Sequence, residues 1–146
     1  VKGMEEITAM EQPYGKLGGA ICYDFDFPYL ANKNKAAGAT VVALPSSDWA
    51  GINPIHTQMA ACRAIENGYT VLRSTRFGTS ASYNPVGQLT AQGNSFDEGV
   101  DFTLFSFPEK GVTTLYSIIG DVLIYASLLL VVLCFFLPFK RKQGPL

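Results

Sequence analysis

One histidine and three cysteines are all that this chain of 146 residues offers of the usual soft metal ligands. A single imidazole, His56, excludes a metal cluster built on histidines, and no cofactor motif takes its place. Cys22, Cys62 and Cys134 are odd in number, far apart and without CxxC spacing, which excludes a disulfide framework and a zinc knuckle. Basic residues are also scarce, 11 Lys and Arg against 12 Asp and Glu, and in the soluble region they nowhere gather with aromatics, so nucleic acid is not an expected partner. No repeat or low-complexity tract is present. The polar opening, Val1 to Pro13, has neither an initiator methionine nor an apolar core of export length. It reads as a sequence that starts in mid-protein, with any export information upstream.

What is present is a globular composition, 48% hydrophobic and 16% charged, with an apolar tail. Val122 to Phe139 holds no charged residue; extended back through Tyr116, it reaches the ~20 residues that a helix needs to cross hydrocarbon. Lys140, Arg141 and Lys142 follow at once, a stop-transfer pattern. The expected organisation is a domain over 1–115, a transmembrane helix over 116–139 and a basic tail over 140–146. Positive charge favours the cytoplasmic side, which puts the tail inside a cell membrane and the domain outside it.

Within that domain, Leu17 to Tyr23 reads as a buried strand with Cys22 at its end, and Pro28 opens a helix that Gly38 closes. Thr40 to Leu44 is the next strand, so the segment forms a βαβ unit. Reactive groups in such sheets sit just past the carboxyl ends of strands, where Cys22 and the Ser46-Ser47-Asp48-Trp49 segment fall together. Asn53-Pro54 starts an amphipathic helix with Ile55, Met59, Cys62 and Ile65 on one stripe and Gly68 as its stop. Tyr69 to Thr75 is a strand, Ser80 to Tyr83 and Gln88 to Ala91 form a hairpin about Asn84-Pro85-Val86-Gly87, and Asp101 to Phe107 alternates as a final strand.

A cysteine near a strand's end is ordinarily a small buried hydrophobe. Cys22 differs in its setting, because Asp24 and Asp26 sit beside the thiol just where a helix begins, and a helix amino terminus favours thiolate. GGAICYDFDFP resembles the nucleophile segment of the carbon-nitrogen hydrolase (nitrilase) superfamily, and LPSSDWAGINPIHTQMAACRAIENGYTVLRSTRFGTSA is similar to its next block. TTLYSIIGD before the apolar run resembles the junction to the last transmembrane helix of the apolipoprotein N-acyltransferase family. The likeness spans roughly Gly15 to Lys142.

The resemblance implies an α/β fold, the C-terminal half of an α-β-β-α sandwich, followed by one transmembrane helix. It implies a Glu-Lys-Cys triad with Cys22 as nucleophile and thioester carrier, while the glutamate and lysine are expected before Val1. Lys2 is the one other lysine to weigh, yet it adjoins Gly3-Met4-Glu5, which resembles the loop after the family's lysine. By the same likeness Tyr23 and Asp24 are pocket residues, Asp24 standing where glutamate is common. Glu5 either shapes the site or is a solvated surface carboxylate. Trp49 either lines an acyl pocket or packs in the core; Ser47-Asp48-Trp49-Ala50 departs from the Asn-Asp-Ala-Trp-Phe run of the acyltransferases. His56 is expected on a helix surface, and Arg63, Glu66 and Arg73 in one buried charge network.

The implied function is acyl transfer from a phospholipid to a lipoprotein N-terminus by a monomeric membrane enzyme, with this chain alone inactive. The alternatives are a tethered amidase acting on a small amide and an inactive scaffold domain.

Overall fold

Proline and glycine mark the borders of the two helices that carry the domain. α1 (Pro28–Ala36) has Pro28 in its first turn, where a missing N–H costs nothing, and its last carbonyls accept from Ala37 and Gly38. Gly38 then turns with φ 84°, a conformation that few residues with a Cβ adopt. α2 (Ile55–Asn67) ends in the same manner, on Gly68 in the left-handed region. The computed structural model describes residues 6–94 and 110–136.

Around these helices runs a six-stranded mixed sheet whose strand order follows the sequence: β1 (Met10–Gln12), β2 (Gly15–Gly19), β3 (Val41–Ser47), β4 (Thr70–Arg76), β5 (Thr79–Tyr83) and β6 (Leu89–Asn94). β2, β3 and β4 are parallel, as two successive βαβ crossovers require, and the outer pairs are antiparallel. Side chains alternate across the strands. Val42, Leu44 and Val71 point into a core shared with Ala31, Ala60 and Ala64, whose small size lets both helices lie close on one face. Ala43, Pro45 and Leu72 point to the other face, which is less covered. One helical layer on a mixed sheet is therefore what these residues build.

The strand expected over Leu17 to Tyr23 is shorter. Ala20 N–H still donates to Ala43 O at 3.2 Å, but the ladder stops there, and Cys22–Asp26 forms a 3-10 turn. Phe25, 1% exposed, explains the break: it turns inward to stack obliquely on Tyr69, 6.3 Å between ring centres, and an extended chain would not bring it there. The three-residue edge strand β1 lies in the opening segment that reads as merely polar. The expected strand over 101–107 and the basic tail lie outside the described residues.

Beyond the sheet, Thr114 and Ser117 cap α3 (Leu115–Ile119) reciprocally, and Gly120, φ 54°, separates it from α4 (Val122–Phe136). The helical segment expected from 116 is thus divided in its described part. α4 is apolar all round and buries none of its side chains, but at 15 residues it is about 22 Å long against ~30 Å of hydrocarbon. No helix among the described residues is long and apolar enough to cross a membrane.

α1 is fastened to β2 by Asn34, which is fully buried. Its Oδ1 accepts from Gly19 N–H at 3.0 Å, and its Nδ2 donates to Gly19 O and Leu30 O at 3.3 and 3.2 Å. Gly18 makes room for it: a Cβ there would lie 2.3 Å from Asn34 Oδ1. Asn34→Ala leaves the Gly19 groups unpaired over a void and is expected to cost about 2–4 kcal/mol, read as a shift of the urea midpoint.

Candidate active site

Cys22 sits three residues beyond β2, with φ 49°. A residue with a Cβ in the left-handed region costs on the order of 1–2 kcal/mol, so the surroundings must hold it there. They do so from both sides. Upstream, Ala20 is tied to β3; downstream, Asp24 N–H donates to Ile21 O at 3.0 Å, and Phe25 is plugged into the core. The result is an elbow that presents a half-buried thiol at the carboxyl end of the parallel strands, where its Sγ donates to Ser47 O at 3.7 Å. β2 and β3 therefore bring Cys22 and the Ser47-Asp48 segment together, as the βαβ reading requires.

Beneath the thiol lies a chain of buried charges. Arg73, from the middle of β4, donates through Nη2 to both oxygens of Asp48 at 2.7 Å, and through Nη1 to Thr57 Oγ1 at 3.1 Å and Thr79 O at 3.0 Å. Neither side chain of this ion pair is exposed to solvent. His56 continues the chain: its Nδ1 is 2.8 Å from Asp48 Oδ1 and its Nε2 is 3.1 Å from Asp26 Oδ1. Burial pushes the Asp26 carboxyl above its usual range, and His56, Arg73 and Arg63 draw it back only in part. Gly78 closes in from the β4–β5 turn, where a Cβ would stand 2.6 Å from Asp48 Oδ2.

His56 is therefore not on a helix surface. It lies on the inward stripe of α2 with Ala60 and Ala64, one and two turns on, and is 4% exposed. The expected network of Arg63, Glu66 and Arg73 also divides in two. Arg63 pairs with Glu66 at 3.0 Å within α2, while Arg73 serves Asp48 from the strand. Cys22 Sγ, an Asp48 oxygen and a His56 nitrogen lie within 4.8 Å of one another, a donor set that suits a cation. Both Asp48 oxygens, however, are already held by the Arg73 guanidinium, and any metal ion would have to displace it.

Of the other expected site residues, Tyr23 and Asp24 lie on the elbow itself and are exposed, Tyr23 edge-on to Phe27 with 5.3 Å between ring centres. Asp24 borders a cavity of about 720 Å³ on the open side of the sheet, with Met10, Leu17, Ile21, Ala43 and Pro45. Cys22 does not line it. Trp49 is 62% exposed, so it is no core residue, although it directly follows buried Asp48 in the chain. Glu5 and Lys2 lie outside the described residues.

Removing one partner of a fully buried ion pair strands the other. Asp48→Ala is expected to cost about 3–5 kcal/mol in a denaturant titration, and adding Arg73→Met should recover much of that loss, because the uncompensated charge is gone.

The profile of the carbon-nitrogen hydrolase family matches residues 2–106. The chain is 32% identical over 114 residues to the apolipoprotein N-acyltransferase of Borreliella burgdorferi, covering 75% of this chain and 22% of that protein. It is 34% identical over 129 residues to that of Haemophilus influenzae, covering 85% and 24%. An omega-amidase of Saccharomyces cerevisiae is 35% identical over 85 residues, covering 57% of this chain and 29% of the enzyme. Among solved structures, an amidase from Nesterenkonia sp. shares the fold with a TM-score of 0.69 at 18% identity, over 88% of this chain and 49% of that one. The chain thus spans about a quarter or less of the acyltransferases it matches. With a nitrilase-type α/β fold and a family match over most of its length, the chain belongs to the carbon-nitrogen hydrolase family.

Proposed function

We propose that this chain carries the nucleophile of a membrane-anchored acyltransferase, and that Cys22 takes an acyl group from a phospholipid and passes it to the N-terminus of a lipoprotein. The observation that carries the nucleophile is the elbow: a cysteine in a left-handed conformation just beyond a parallel strand, half exposed at the sheet's carboxyl end. In this reaction Sγ attacks the ester carbonyl carbon of the donor, the glycerol oxygen leaves with a proton, and a thioester remains on Cys22. The amine of the acceptor then attacks that thioester, forming the amide and returning the thiol. A thiol of ordinary pKa is mostly protonated at neutral pH, so a base must take its proton, and a cation or N–H must meet the oxyanion. The family's glutamate and lysine fill those roles and come from outside the described residues.

Three observations support a lipid donor. Acyltransferases of this name match over 75% and 85% of the chain in the two relatives above. α4 exposes leucine, valine and phenylalanine on all sides, which suits hydrocarbon better than water, and the apolar run continues in the sequence to Phe139. Tyr23, Phe27 and Trp49, on and after the elbow and in the loop after β3, are exposed aromatics able to receive an apolar chain. In this reading the run from 116 to 139 spans the cell membrane, the domain is extracytoplasmic, the basic tail cytoplasmic and the enzyme a monomer.

The amidase reading has its own support in the omega-amidase relative and in Ser47-Asp48-Trp49-Ala50. Labelled phospholipid and a diacylated lipopeptide, given to the full-length protein, separate the two. The expected result is label on the peptide, a trappable acyl adduct on Cys22, and a loss of at least about 1,000-fold in Cys22→Ala. Release of ammonia from small amides without transfer would favour the amidase, and unchanged turnover in Cys22→Ala would end both readings.

A further inference from the structure

Asp26 has no part in the chemistry above, yet it ends the 3-10 turn that Cys22 begins. Its side chain, 11% exposed, reaches His56 Nε2 at 3.1 Å. The other ring nitrogen is committed: Asp48 Oδ1, 2.8 Å from Nδ1, has only lone pairs to offer, while Arg73 Nη2, further off at 3.3 Å, directs its hydrogens to the two Asp48 oxygens, so Nδ1 carries a hydrogen. Nε2 and the Asp26 oxygen are then left facing each other. A contact at that distance requires one proton between them, on either partner; without it, two lone pairs oppose.

We infer that this shared proton fastens the Cys22 elbow to the floor of the site, making Asp26 and His56 positioning residues whose clip closes at low pH and opens as the pH rises. The elbow has two downstream anchors, Phe25 in the core and Asp26 on His56, two residues and one residue before the cap of the turn at Phe27. Only the second titrates. The charged or titratable groups facing the imidazole are Asp26 and Cys22 from the turn, Asp48 from the loop after β3 and Arg73 from β4; Arg63, on α2, acts on Asp26 from further off. With the proton in place, Arg73 and the proton balance two carboxylates. Once it leaves, an uncompensated negative charge remains in a site that solvent barely reaches. The sign agrees with the carboxyl itself, which burial makes hold its proton to higher pH than a free aspartate.

This rests on Cys22 being the nucleophile, and the test keeps the two apart. In the full-length protein, kcat and KM for transfer are followed from about pH 5 to about pH 9 in wild type, Asp26→Ala, Asp26→Asn and Cys22→Ala. Asp26→Ala removes the clip and is expected to lower kcat about tenfold while KM moves less than about twofold. Asp26→Asn supplies a permanent N–H to Nε2 of a neutral ring, so its alkaline limb should move up by about one pH unit or more. That isosteric variant keeps the test standing if Asp26→Ala does not fold. If Cys22→Ala is inactive while Asp26→Ala keeps the wild-type kcat, or Asp26→Asn keeps the wild-type limb, the clip is overturned and the nucleophile stands. If Cys22→Ala is as active as wild type, both fall.

Discussion

A guanidinium that water does not reach has to be answered where it stands, and much of this site follows from how Arg73 is answered. The inner strand β4 carries it inward between Val71 and Thr75, into a buried face that it shares with His56 and Thr57. Asp48 must therefore leave the end of β3 and turn inward rather than out to solvent, and Thr57 Oγ1 and Thr79 O take the two Nη1 hydrogens, while Nε has no partner among the described residues. Three separate segments, the loop after β3, the start of α2 and the β4–β5 turn, are drawn to one point by a single side chain. The thiol is placed above that point.

The elbow depends on this floor as well as on hydrophobic packing. Phe25 supplies non-directional burial, which holds the turn in place but sets no fine angle. The polar contacts are directional: Asn34 fixes where β2 ends relative to α1, and His56 fixes where the turn ends relative to α2. A strained residue held between two directional contacts has little freedom to relax. That is the condition under which a left-handed cysteine persists.

How much of this was legible in the sequence depends on whether a residue's signal was local. Pro28, Gly38, Pro54 and Gly68 punctuate the helices by their own backbone chemistry, and the two βαβ units follow from them. The hairpin about Asn84 to Gly87 was equally local. The early end of β2 was not, because it depends on Phe25 reaching Tyr69 across the core. β1 was hidden as well, since Met10, Glu11 and Gln12 make an edge strand without an apolar alternation.

In the candidate site, the thiol is singled out by a motif, while the buried charges beneath it are not. Asp48 and Asp26 look like solvated loop acids until Arg73 and His56 are placed against them. Two signals did exist. Arg73 falls two residues from Val71 and two from Thr75, on the inward parity of a buried strand, where a cation demands an acid. His56 precedes Ala60 and Ala64 by four and eight, the inward stripe of α2. Parity and spacing were present for both; what they lacked was a partner close by in sequence.

That the chain has one histidine, and that this one is enclosed, gives the site an internal reporter. Every imidazole signal from this chain, whether a ring-proton resonance or acylation by diethyl pyrocarbonate, comes from the ring under the thiol. Slow exchange and resistance to the reagent would mark the closed arrangement, and their loss would record each opening without a label being added.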